Sequence, residues 1–210
     1  MLRLKPLLYT TVGILVVLIA FNTGVFVQRK KTSSVLQKAI ENENTAKVKA
    51  MILERYYMLS VQSSGKIIDD YVLLTDLENN TRSATDIFVG KVLFLVFRYS
   101  QGACSSCINT VFEYLWALKK NVDEKKLRII IVPYYAELRQ MIVENSQSFK
   151  NQFQFYLAEE NGIGLPIDKA SVPYLFLINE NKQVTNVFVI DMMFQSLLEK
   201  YVNTIIEDFK

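Results

Sequence analysis

An α/β domain behind an N-terminal transmembrane helix and a helical stalk is the architecture that the sequence predicts, and three observations predict it. Strand-like apolar runs alternate with helical periodicities from about residue 66 to the end. Residues 7–27, "LLYTTVGILVVLIAFNTGVFV", carry no charged side chain. Between these two regions, residues 32–65 are polar, with a broken apolar stripe. The composition suits a packed core: 50% of the 210 residues are hydrophobic, 21% are charged and the formal net charge is +3. So small a charge bias gives no footing to a nucleic-acid partner.

The first element is argued from length. At 1.5 Å per residue, a helix over residues 7–27 crosses a hydrocarbon core of about 30 Å. The run exceeds a usual signal-peptide core, and Leu18 and Ala20 make a poor cleavage site, so a retained anchor is expected over residues 1–31. Arg3 and Lys5 before the span nearly balance Arg29, Lys30 and Lys31 after it, which leaves orientation open. Residues 32–65 are expected to be a helical stalk or linker. Thr32 or Ser33 is placed to cap it, Leu36, Ile40, Val48, Met51, Ile52 and Leu59 recur in three- and four-residue steps, and "QSSG" at 62–65 reads as a hinge.

Within residues 66–210, "DYVLLTDLENNTRSATDIF" predicts a hairpin turning at Glu78-Asn79-Asn80, followed by a helical turn. "KVLFLVF" at 91–97 is continuous enough for a strand buried on both faces. A helix begins near Cys104, because Ile108, Val111, Phe112, Leu115 and Leu118 step by three or four. "LRIIIVPYY" at 127–135 is the next buried strand and completes a β-α-β unit. A helix over 136–149, a strand at 153–158, a hairpin turning at Asn179 to Lys182 and a closing amphipathic helix over 191–208 follow. "NGIGLPID" at 161–168 reads as a loop whose glycines are too irregular for a phosphate-binding fingerprint.

The chemistry narrows by elimination. The chain has no histidine, which removes the commonest general base and every Cys-His or Ser-His dyad. Its two cysteines, Cys104 and Cys107, could supply only half of a zinc site. Gln101 stands where a peroxiredoxin would carry Thr or Ser, three residues before its reactive cysteine. A Cys-x-x-Cys at the start of a helix puts its first thiol where unpaired backbone N–H groups favour a thiolate. Cys104 is thus the expected nucleophile, and Cys107, almost one helical turn on, the resolving thiol. Ser105 and Ser106 keep the turn small and offer hydroxyl donors to sulfur as motif support.

Residues 66–210 resemble the thioredoxin-like redoxins of the membrane-anchored TlpA and ResA type. "LTDLENNTRSATDIFVGKVLFLVF" is similar to their entry hairpin and first core strand, "CSSC" stands at their redox motif, and "SVPYLFLINENKQV" resembles the segment that carries their cis-proline. The resemblance implies a thioredoxin-like fold, with a central mixed sheet flanked by helices. It also implies thiol–disulfide exchange with an extracytoplasmic protein substrate and an upstream electron donor or acceptor. Pro173 would be the cis-proline and would dock substrate together with Val172. No cofactor beyond the Cys104–Cys107 disulfide, and no metal, is implied. The domain would lie on the periplasmic side of the cytoplasmic membrane, held by a single pass. Two positions depart from the thioredoxin pattern: Ala103 stands where a tryptophan is usual, and Arg98 where a buried acid is usual. Glu159 or Glu160 is a conceivable substitute for that acid. The rival expectation is a redox-inert module that uses the same fold as a tethered binding surface.

Overall fold

The computed structural model describes residues 36–145, 152–159 and 162–210. The span expected at 7–27 and the candidate acid Glu160 lie outside them. Among the described residues, no helix is long and apolar enough to cross a membrane. The chain divides into two compact units, Met1–Glu54 and Arg55–Lys210. Helical residues (α1) run from 36 to 63, "ENENTAK" included. In the first unit they are largely exposed, Leu36, Ile40 and Val48 among them.

The second unit is built on one seven-stranded mixed sheet. Its strands are β1 (Leu73–Asp76), β2 (Thr81–Ser83), β3 (Leu93–Ser100), β4 (Leu127–Tyr134), β5 (Gln154–Ala158), β6 (Tyr174–Ile178) and β7 (Val184–Val189), in the spatial order β2-β1-β5-β4-β3-β6-β7. β3 runs parallel to β4 and antiparallel to β6. Between β3 and β4 the chain crosses over through α3 (Ser105–Asn121), as a parallel pair requires. Two short helices, α2 (Ala84–Ile87) and α4 (Leu138–Asn145), and the closing α5 (Gln195–Phe209) complete the set.

Side chains alternate across β3 and sort the interior into two layers. Leu95, Phe97 and Tyr99 join Ile108, Phe112 and Leu115 of α3 and Leu198 and Val202 of α5 in one apolar cluster. Phe94 and Val96 join Ile68, Phe88, Ile163, Leu165 and Phe176 in the other. Phe112 ties the first layer together, its ring lying 5.7 Å from those of both Phe97 and Phe153. Trp116 packs on Phe153 as a core residue, with Lys120 over its ring.

Three sequence expectations shift. β3 extends to Ser100 rather than ending at 97, because Arg98, polar in an otherwise apolar run, is buried and compensated instead of ending the strand. The stalk boundary at "QSSG" is not a loose hinge: Ser63 is fully buried, and its Oγ accepts the Ile167 N–H at 3.2 Å. Gly65 then turns the chain at φ 80° and donates its N–H to Val184. The Val172–Pro173 peptide, expected to be cis, is trans, since the described residues contain no cis peptide bond. Trans is the lower-energy form of an X–Pro bond, and Ser171, just before this dipeptide, ends the Pro166–Ala170 turn in the left-handed region at φ 52°.

The β1–β2 hairpin turns where the sequence predicts, with Asn79 at φ 68°. Asp76 organises the turn: Oδ1 accepts the N–H groups of Glu78 and Asn80, and Oδ2 accepts the Asn80 side-chain amide. The bond from the Asn80 backbone is the largest cause holding this carboxyl below its ordinary range. A depressed folded pKa contributes stability that is present above the unfolded pKa and lost as pH falls through the folded one. Hydrogen exchange at Asn80 and Thr81 is therefore expected to accelerate, relative to the central strands, as pH drops below about 4. Equal protection at pH 5 and pH 3 would refute it.

Candidate active site

The sheet delivers both cysteines to one end of the molecule. β3 runs out at Ser100, a short loop follows, and α3 begins with Cys104 as its N-cap. Cys104 and Cys107 form a disulfide, with Cα atoms 5.2 Å apart. The sulfur of Cys104 accepts the Cys107 backbone N–H at 3.3 Å and lies 3.1 Å from Ser106 Oγ. Cys104 is exposed, and Cys107 is half-buried. The first turn of α3 contains no acidic residue, so nothing there offsets the positive end of the helix dipole, while Lys119 and Lys120 complement its other end. A sulfur so placed is favoured as thiolate over thiol. Ser105 is exposed and its side chain is free of the sulfur contact that Ser106 makes.

The candidate docking residues reach the same end. β6 starts at Tyr174, opposite Arg98 of β3, so the preceding Val172 and Pro173 stand at the edge from which the cysteine loop leaves. Pro173 is tied to the far side of β6, its carbonyl accepting the Ile190 N–H at 2.8 Å. Val172 and Gly102 line a common cleft of about 580 Å³. Glu159 is exposed at the end of β5 and lines a different cleft, with Leu73, Thr75 and Thr81.

Beneath the main cleft lies a charged group that sequence reasoning missed. Arg98, only 5% exposed, meets Asp168, whose side chain is equally buried, with Nε 3.4 Å from Oδ1. The Arg98 Nη1 atom donates to the carbonyls of Tyr99 and Val132. Asp168 is held from four directions: Tyr174 donates its hydroxyl to Oδ1 at 2.7 Å, Ile163 and Leu165 donate backbone N–H groups to Oδ2 at 3.0 Å, and Arg98 faces Oδ1. Burial, reinforced by the negative charge of Asp168, pushes the Tyr174 phenol well above its usual range, so it remains a protonated donor. Gly162 makes room for this arrangement. Its backbone sits at φ 68°, and a Cβ there would lie 2.2 Å from Asp168 Oδ1. The signal in the sequence was Arg98 itself, because a buried guanidinium demands an anion.

A parallel β-α-β unit with a CxxC at its helix N-cap, followed by an antiparallel hairpin and a closing helix in one mixed sheet, is a thioredoxin-like α/β fold. No protein-family model matches the chain, and no curated protein matches it in sequence. Among solved structures, it is similar to the thioredoxin domain of a thiol-disulfide oxidoreductase from Bacteroides vulgatus, at 17% identity over 67% of this chain and 98% of that one, with TM-score 0.45. A thiol:disulfide interchange protein from Bacteroides sp. gives 19% identity, 67% and 90% coverage and TM-score 0.46. The mitochondrial 2-Cys peroxiredoxin from Plasmodium falciparum gives 13%, with 69% and 95% coverage and TM-score 0.44.

Proposed function

We propose that this chain is a membrane-anchored thiol–disulfide oxidoreductase that exchanges disulfides with extracytoplasmic protein substrates through Cys104 and Cys107. One observation supports the exchange chemistry: the two cysteines pair across the first turn of α3, with Cys104 exposed at the N-cap and Cys107 half-buried behind it. In the reductive direction, the Cys104 thiolate attacks a substrate disulfide. A Cys104–substrate bond forms, the substrate S–S bond breaks, and one substrate thiolate leaves. Cys107 loses its proton and attacks Cys104 Sγ, which forms the Cys104–Cys107 disulfide and expels the second substrate thiolate. The substrate gains two electrons and the protein loses them, to be restored by an upstream dithiol donor; the oxidative direction is the reverse. Val172 and Pro173 dock the substrate backbone at the sheet edge beside the loop. The pair needs no cofactor beyond its own sulfurs. Residues 7–27 supply the single pass, with the domain on the periplasmic side, where disulfides persist.

A glutathione redox titration of the full-length chain, followed by mass after alkylation, tests the central claim. The expected result is one reversible two-electron transition between the dithiol and the Cys104–Cys107 disulfide. Cysteines fixed in one state across the whole range would leave a tethered binding module as the better account. A membrane-impermeant thiol reagent, applied to intact cells after reduction, tests the topology. It should label the pair without lysis, and labelling only after lysis, in a denatured control included, would place the domain on the other side.

A further inference from the structure

We infer that the cleft beside the CxxC loop is a subsite for a carboxylate of the substrate polypeptide, an Asp or Glu side chain neighbouring the reacting cysteine, bound by Arg98; this rests on the exchange function proposed above. The cleft has about 580 Å³ of space, and its wall includes Arg98, Gln101, Gly102, Asp168 and Ser171. Gly102 precedes Cys104 by two residues, so at about 3.6 Å per residue this part of the cleft wall lies within roughly 7 Å of chain from the nucleophile.

Among the described residues, the buried side-chain polar atom left without a hydrogen bond is Arg98 Nε, in this wall. A carboxylate offers about four acceptor sites. Asp168 already accepts three hydrogen bonds and faces the Arg98 guanidinium as its ion-pair partner. Arg98 is the opposite case. Nη1 is used by two carbonyls, and Nε faces Asp168 without a hydrogen bond of good geometry. Among the described residues, no protein group accepts from Nη2. A guanidinium that is 95% buried thus keeps a donor edge, and Arg98 is part of the cleft wall. The planar fork of a guanidinium matches a carboxylate better than it matches a single carbonyl. As charges Arg98 and Asp168 cancel; the preference for an anion over a neutral acceptor comes from that fork and from the positive end of α3, whose first turn has no acid to oppose it.

The test uses the full-length chain and short peptide disulfides that differ only in Glu, Gln or Ala beside the cysteine. The Glu peptide is expected to exchange about tenfold faster in kcat/KM than the other two, the scale of one charge-assisted hydrogen bond. Ser171→Asp places a competing carboxylate in the wall at a left-handed position that Asp tolerates, and it leaves the Arg98–Asp168 pair in place. It should remove the Glu advantage, so that within this variant the Glu, Gln and Ala peptides exchange at one rate. Equal rates for Glu and Gln peptides, or a Glu advantage unchanged in Ser171→Asp, would overturn the subsite. Binding of cysteine-free Glu and Gln peptides to the oxidised chain, read by fluorescence anisotropy, separates the two claims. A Glu preference in binding without any exchange sinks the redox function and keeps the subsite, and exchange without a Glu preference does the reverse.

Discussion

The Cys107→Ser chain is expected to accumulate mixed disulfides through Cys104, and the Cys104→Ser chain to accumulate none. The asymmetry follows from position. Cys104 caps α3 in solvent, whereas Cys107 is half-buried one turn inward, placed to attack the sulfur of its neighbour. Removing Cys107 replaces an intramolecular attack with a bimolecular one. Since well-oriented intramolecular reactions reach effective concentrations on the order of 10⁵ M, resolution slows by roughly 10³-fold or more at any realistic external thiol concentration. Trapping followed by nonreducing electrophoresis and mass spectrometry reads the outcome. Equal trapping by both variants would overturn the assigned roles, and no trapping by Cys107→Ser would count against exchange itself.

The second large effect is on stability. Asp168→Ala leaves Arg98 buried beside no anion, and breaking such a pair from one side costs about 3–5 kcal/mol. Folded domains have only about 5–15 kcal/mol in hand, so the urea midpoint should fall by a large fraction of its value. Replacing both partners together, Arg98→Met with Asp168→Leu, removes the orphaned charge and is expected to cost less than Asp168→Ala alone. Tyr174→Phe removes one of the three hydrogen bonds to Asp168 and is expected to cost about 1–2 kcal/mol. A double variant as unstable as the sum of its singles would mean that the two side chains do not compensate each other.

The parts of this molecule that were legible in the sequence are those whose physics is periodic. β3, β4 and β6 read as strands because a sheet covered on both faces leaves unbroken apolar runs, and α3 read as a helix because its buried positions repeat every three or four residues. The CxxC was legible because its spacing and its place at a helix start are local facts. The Arg98–Asp168–Tyr174 group was not, since its partners come from β3, the 3₁₀ turn at Pro166–Ala170 and β6, and no periodicity joins them. Gly162 looked like one more loop glycine until the carboxylate packed against it was seen. Glu159, proposed because it is acidic, is exposed and lines another cleft; the buried acid is Asp168. Val172 and Pro173 stand at the end of the sheet where the cysteine loop leaves, but the peptide between them is trans.

The bond between Ser63 and Ile167 bears on how the domain could be moved from one protein to another. The composition of the chain invites a cut at residue 66, where the polar linker gives way to apolar strands. That cut would discard Ser63, strand a buried N–H next to the turn that carries Asp168, and remove Tyr56, whose hydroxyl, raised to about 12 chiefly by burial, donates to Asp191. A transplantable unit therefore begins no later than Arg55, and the final turns of the stalk travel with it as part of the fold they appear only to support.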